Sequence, residues 1–195
     1  MRYGEIIRKT AETDITLKLN IDGRGESSVN TGCGFLNHML TLFAKHARFD
    51  LNIECVGDVN VDYHHTVEDV GICLGEAFAT ALADKKGINR YGSAILPMDE
   101  VLVLTAADIS GRSCLVYDLE MPTEKIGDFD TQLIEEFWKA FVRKAELTLH
   151  IKKLNGENAH HIAECAFKSA ARSLKSASSA EVGFENEIPS TKGVL

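Results

Sequence analysis

The chain has 195 residues, 45% hydrophobic and 26% charged, with only three prolines, which is the profile of a folded protein rather than a disordered one. Twenty-nine acidic residues against 21 basic ones give a net charge of −8 with no basic block, which argues against a surface that tracks nucleic-acid phosphates. Five scattered cysteines without a CxxC pair, apolar stretches far short of the ~20 residues that cross a bilayer, and an N-terminus without an apolar run predict a cytoplasmic protein with no membrane partner.

In chain order, Ile15 to Ile21 alternates apolar and polar residues and predicts a strand ending on the DGRG turn. Phe35, Met39, Leu42, Phe43 and Ala47 recur at helical spacing and predict an amphipathic helix over 35–48. A short strand over 51–56 and a long helix with Val67, Val70, Leu74, Phe78 and Ala81 on one face follow. The same order then returns. Strands over 101–109 and 115–119 flank the SGRS turn, and Leu133, Phe137, Ala140, Phe141 and Ala145 mark a helix. A strand over 147–154 precedes a long helix facing inward through Ala163, Ala166, Ala170, Leu174 and Ala177. The tail over 185–195 is polar, punctuated by Gly and Pro, and reads as a loop.

Two copies of one pattern, HHxxE, stand 96 residues apart, at His64, His65 and Glu68 and at His160, His161 and Glu164. Their surroundings match as well. At an offset of 98, Phe43, Ala47, Leu51 and Ile53 meet Phe141, Ala145, Leu149 and Ile151, and the loop before the second motif is two residues shorter. At an offset of 88, Glu12, Ile21, Gly23 and Arg24 meet Glu100, Ile109, Gly111 and Arg112. The expected architecture is an α+β fold with an internal duplication: two pseudo-equivalent half-domains of sheet packed on helices, residues 1–92 and 93–195. The second carries the C-terminal tail, and together they form one functional unit.

On a helix, residues four apart share a face, whereas adjacent ones diverge by about 100°. His64 with Glu68, and His160 with Glu164, can therefore each grip one ion, while His65 and His161 point elsewhere. Imidazole plus carboxylate suits a borderline divalent ion such as Mn(II), Zn(II) or Fe(II). One HHxxE alone is more often a chance cluster; its recurrence at matched positions of a repeat points to a shared task. The repeat also sets His38 against Glu136 at the offset of 98, which makes eight candidate ligands for two ions per chain. His46 and His150 read as packing residues or as hydrogen-bond partners of ligands.

Basic residues gather near turns: Arg90, Arg112, Lys168 and Lys192. Ser190, Thr191 and Lys192 together supply hydroxyls, a cation and a neighbouring Gly, a combination that can cradle a phosphate.

The ordered motifs GFLNHML, DYHHTVEDVG, SGRSCLVYDL, LTLHI, AHHIAECAFKSAARSL and PSTKGV resemble the imidazoleglycerol-phosphate dehydratase family over essentially the whole chain. The resemblance implies a manganese-dependent lyase of histidine biosynthesis that converts D-erythro-imidazole-glycerol phosphate to imidazole-acetol phosphate and water, assembled from trimers into a 24-mer. It also implies that His38, His64, His65, Glu68, His160, His161 and Glu164 hold two Mn(II) ions. Glu136 occupies a ligand position where many members have histidine. For the substrate, the resemblance implies Glu12, Arg90, Arg112, Lys168, Ser190 and Lys192. The proton to be removed sits on a carbon with no adjacent carbonyl, so the imidazole ring must carry the developing charge. Glu12 and Glu164 are the candidates for proton transfer, with acid and base unassigned. A dinuclear hydrolase and a metal-clamped assembly protein are the rival readings.

Overall fold

A computed structural model describes residues 1–195. The first half runs β1 (Tyr3–Lys9), β2 (Thr13–Asn20), β3 (Ser27–Asn30), α1 (Gly34–Ala47), β4 (Asp50–Gly57) and α2 (His64–Leu82). The second runs β5 (Tyr91–Met98), β6 (Val101–Asp108), β7 (Cys114–Asp118), a hairpin of β8 (Lys125–Ile126) and β9 (Phe129–Asp130), α3 (Gln132–Ala145), β10 (Thr148–Asn155) and α4 (Ala159–Ser178). The strand orders are β1-β2-β4-β3 and β5-β6-β10-β7, which is one topology written twice. In each sheet the first three neighbours pair antiparallel and the last pair is parallel. The duplicated α+β architecture expected from the repeat is therefore present.

Helices of one half pack on helices of the other, α2 on α3 and α1 on α4, while α2 covers β1 and β2 and α4 covers β5 and β6. One apolar core runs through both halves. At its centre the fully buried Trp138 lies 4.9 Å from the ring of Phe167, 5.1 Å from Phe137 and 6.3 Å from Phe43, so aromatic burial joins α3 to both α4 and α1.

Alternation over 15–21 and over 101–109 marked β2 and β6, whose inward residues are fully apolar. The opening strands β1 and β5 escape the same reading, because their inward positions include Gly4 and Gly92 and the outward ones include Ile7 and Ile95. A Cβ at Gly4 would strike the backbone of Ala77, and one at Gly92 the backbone of Ser173. The strands need Gly there so that each can lie directly against a helix. The Tyr-Gly pairs at 3–4 and 91–92 obey the offset of 88 and were a usable signal for both strands.

The hairpin of β8 and β9 has no counterpart in the first half. It inserts the buried Phe129 between Phe35 (4.7 Å) and Tyr63 (6.5 Å), and Tyr63 donates its hydroxyl to Asp128 at 2.7 Å. This packing braces the start of α1 and the start of α2, which carries the first HHxxE.

Candidate metal centre

His38 reaches from α1 toward the N-terminal turns of α4. Its Nε2 lies 3.2 Å from Glu164 Oε2, and His160 Nε2 lies 3.3 Å from the same oxygen. The three side chains offer ligand atoms within 4.8 Å of one another. The i, i+4 spacing puts His160 over Glu164 on one helix face, and the packing of α1 on α4 brings in His38 from the other half. Glu164 is 8% exposed, and its other oxygen accepts from Lys168 Nζ one turn further along. Burial pushes the Glu164 carboxyl up, but hydrogen bonds from Lys168 and His38 outweigh it and hold the group below the usual carboxylate range. Two imidazoles and an ionised carboxylate form a donor set that fits a divalent ion, which would replace the imidazole protons now facing the carboxylate. Phe35 meets His160 edge-on at 5.6 Å and limits the ring's freedom.

The first HHxxE is arranged differently. His64 Nε2 stands 4.0 Å from Glu68 Oε2, and Glu68 also accepts from Arg143 of α3 at 3.3 Å. Glu136 is held by Lys139 at 3.0 Å on its own helix. These three residues are not gathered into a second trio. Within the chain their carboxylates take cationic partners instead.

In each motif the second histidine turns away from the first. The rings of His64 and His65 cross at 82°, and those of His160 and His161 at 88°. His65 donates Nδ1–H to Asp58 at 2.9 Å and sets Nε2 3.5 Å from Glu12. His161 donates Nδ1–H to Glu100 at 2.9 Å, with Asp99 3.9 Å from its Nε2. The bond to Asp58 raises the His65 pKa, the bond to Glu100 raises that of His161, and Glu100 itself is drawn down to about 2 by His161. Sequence reasoning did not single out Asp58 or Asp99. It paired Glu100 with Glu12 in the repeat but gave it no role.

Arg90, Arg112, Ser190, Thr191 and Lys192 line one cavity of about 250 Å³ with Val194 and Leu195. Arg90 is anchored by Asp108 at 2.8 Å and by the Pro189 carbonyl at 2.9 Å, which ties the tail to the start of β5. Arg112 is 68% exposed, with Asp108 at 4.0 Å, so its charge is available to a ligand. Lys168 does not line this cavity; it sits on Glu164. His46 lies half-buried on α1, its pKa lowered by burial and then by Lys168 and Arg172. His150 is exposed on β10, so it neither packs in the core nor supports a ligand within the chain.

A family model described as imidazoleglycerol-phosphate dehydratase matches residues 31–174. Imidazoleglycerol-phosphate dehydratase of Azorhizobium caulinodans is 54% identical over 195 residues, covering 100% of this chain and 99% of the relative. That of Acetivibrio thermocellus is 54% identical over 194 residues, with 100% and 99% covered. The crystal structure of the Staphylococcus aureus enzyme superimposes with a TM-score of 0.84 at 42% identity, covering 92% of this chain and 99% of that one. The Pyrococcus furiosus structure, in complex with (S)-C348, gives 0.84 at 37% identity, covering 97% and 100%.

Proposed function

The chain belongs to the imidazoleglycerol-phosphate dehydratase family, a carbon–oxygen lyase of histidine biosynthesis, and from that premise we propose that it is a dehydratase that depends on two Mn(II) ions per chain. Its reaction converts D-erythro-imidazole-glycerol phosphate to imidazole-acetol phosphate and water. The observation that carries the metal dependence is the gathering of His38, His160 and Glu164 within 4.8 Å, across the boundary between the two halves.

In this reading His38, His160 and Glu164 hold one ion, and His64, Glu68 and Glu136 contribute to the other. When bound, the ions supply Lewis acidity to the substrate imidazole, so that the ring accepts the charge left by the departing proton. The chain's own residues do the rest. Glu12, 3.5 Å from His65 Nε2, and Glu164, kept ionised by Lys168, are the two groups that move protons. Arg90, Arg112, Ser190, Thr191 and Lys192 bind the phosphate, whose two charges call for several cations, and Lys168 belongs to the same substrate set.

His65 and His161 diverge from the first histidine of each motif, so we assign their Nε2 atoms to ions shared with neighbouring copies of the chain. That assignment agrees with assembly into trimers and a 24-mer. Exposed apolar residues on the sheets, Ile7, Val56, Tyr91 and Ile95, support burial against further copies. Residues 1–92 and 93–195 then work as one catalytic unit. No helix is long and apolar enough to cross a membrane, and we place the enzyme in the cytoplasm.

The test is incubation with Mn(II) and imidazoleglycerol phosphate, following both the oxo product and inorganic phosphate. Formation of imidazole-acetol phosphate without phosphate release is the expected result. Release of phosphate would indicate a dinuclear hydrolase, and absence of turnover a metal clamp; either would overturn the reading.

A further inference from the structure

The second histidine of each HHxxE is held at the same atom, and by residues that the duplication does not relate. His65 Nδ1 meets Asp58 Oδ2 at 2.9 Å, and His161 Nδ1 meets Glu100 Oε2 at 2.9 Å. Asp58 follows β4 in the loop leading to α2, whereas Glu100 lies in the turn between β5 and β6. In the repeat, Glu100 is the counterpart of Glu12, which faces Nε2 of His65 rather than Nδ1. The loop before the second motif is two residues shorter and has no carboxylate where Asp58 stands, so Glu100 has moved to the position that Asp58 fills in the first half. Inheritance from one ancestral half would place equivalent residues at equivalent atoms. Two non-equivalent carboxylates reaching the same ring atom indicate a requirement on the ring itself.

Asp58 is also costly where it stands. Its Oδ1 is buried without a hydrogen-bond partner, a penalty that folding alone does not explain. Its backbone N–H donates to the Glu12 carbonyl at 3.1 Å, so one residue fixes both His65 and the backbone beside Glu12. Glu100 uses its second oxygen to accept from the Asn158 N–H at 3.1 Å, immediately before α4, which fixes the carboxylate relative to the helix that carries His161.

We propose that Asp58 and Glu100 are paired positioning residues, each forcing the proton of its histidine onto Nδ1 and so presenting a bare, outward Nε2 as a divalent-metal donor. A carboxylate has no proton to give, so the ring nitrogen facing it must carry one, and the other nitrogen is left with its lone pair. Because Glu100 has taken this task in the second half and Asp58 in the first, only Glu12 of the original pair remains free on the Nε2 side. The two halves therefore divide positioning and proton transfer unequally. The inference rests on the metal-dependent reading for its consequence, but the histidine tautomer is a property of the metal-free chain.

The experiment uses the full-length protein and two readouts. Imidazole 15N–1H spectra of the metal-free protein, recorded where both rings are neutral, give the tautomers, and competition with a chelating dye gives the Mn(II) affinity. The expected wild-type result is Nδ1–H at both His65 and His161. Asp58→Ala should shift His65 alone toward the Nε2–H form, and Glu100→Ala His161 alone, each with ~10- to 100-fold weaker Mn(II) binding. Asp58→Asn and Glu100→Gln keep a carbonyl acceptor, so they should retain the Nδ1–H tautomer and recover most of the affinity. They also carry the test if an alanine variant fails to fold. Nε2–H rings in the wild type, or tautomers unmoved in folded alanine variants, would overturn the proposal. Tautomers that shift without any change in Mn(II) affinity would overturn the positioning role. A wild type that binds no Mn(II) yet shows the predicted tautomers would instead overturn the metal-dependent reading.

Discussion

His38 on α1 sets its Nε2 3.2 Å from Oε2 of Glu164 on α4, a contact between residues 126 positions apart that exists only because the two halves pack helix to helix. The carboxylate is the charged member of that trio, and Lys168 on its other oxygen keeps it ionised. Glu164→Gln should therefore weaken Mn(II) binding at least ~10-fold, read by dye competition, because an amide is a neutral and poorer donor to a hard divalent ion. Unchanged affinity would remove Glu164 from the ligands.

Arg112 projects into the tail cavity with most of its side chain exposed. Replacing it with Ala should raise KM for imidazoleglycerol phosphate ~10-fold or more, since a charge-assisted hydrogen bond contributes roughly 1.5–3 kcal/mol. The metal content should not change. Steady-state kinetics indistinguishable from wild type would exclude Arg112 from the phosphate site.

Trp138 is fully buried among Phe43, Phe137, Phe141 and Phe167, and its Nε1–H has no partner. Trp138→Ala should cost ~3–5 kcal/mol of stability through the cavity it leaves. Trp138→Phe loses volume but also removes an unpaired donor, so its cost should be well below that. Chemical denaturation followed by circular dichroism measures both, and equal losses would show that indole volume, not the unpaired group, governs the site.

Arg2 donates through Nε at 3.1 Å and Nη2 at 2.6 Å to Asp22 Oδ1, and its Nη1 donates to the Ser178 carbonyl, which ties the first sheet to the end of α4. The Arg2 hydrogen bonds lower the Asp22 pKa against the opposing effect of burial. A depressed carboxyl stabilises the fold above its unfolded value of about 3.9, and that contribution is lost as pH falls through the folded value. Solvent exposure limits it to ~1 kcal/mol. Wild-type protein should thus exceed Asp22→Asn in stability by about that amount near pH 6, with the gap closing toward pH 3. A gap that is constant over this range would contradict the ion-pair account.

Much of this fold is legible in the sequence, because a duplication exposes itself by matching residues at fixed offsets. The helices α1 to α4 and strands β2, β4, β6, β7 and β10 follow from periodicity. Strands β1 and β5 do not, since glycine at the helix contact and isoleucine on the outer face invert the usual alternation. The short hairpin of β8 and β9 has no repeat partner to reveal it. At the site, spacing alone pairs His160 with Glu164, and the offset alone brings His38 forward as a candidate. What spacing cannot supply is the support around the ligands. Asp58 and Glu100 lie on loops outside the motif, and only the folded chain shows that they converge on the same imidazole atom.

The central claim is that catalysis depends on divalent ions held by the histidine and carboxylate side chains of this chain. Turnover of imidazoleglycerol phosphate should be measured on protein stripped by a chelator and then reloaded stepwise with Mn(II), with bound metal quantified at each step. The account predicts no dehydration by the stripped protein, a rise in rate with bound ion, and saturation as occupancy approaches two ions per chain. Full turnover by protein verified to be metal-free would contradict it.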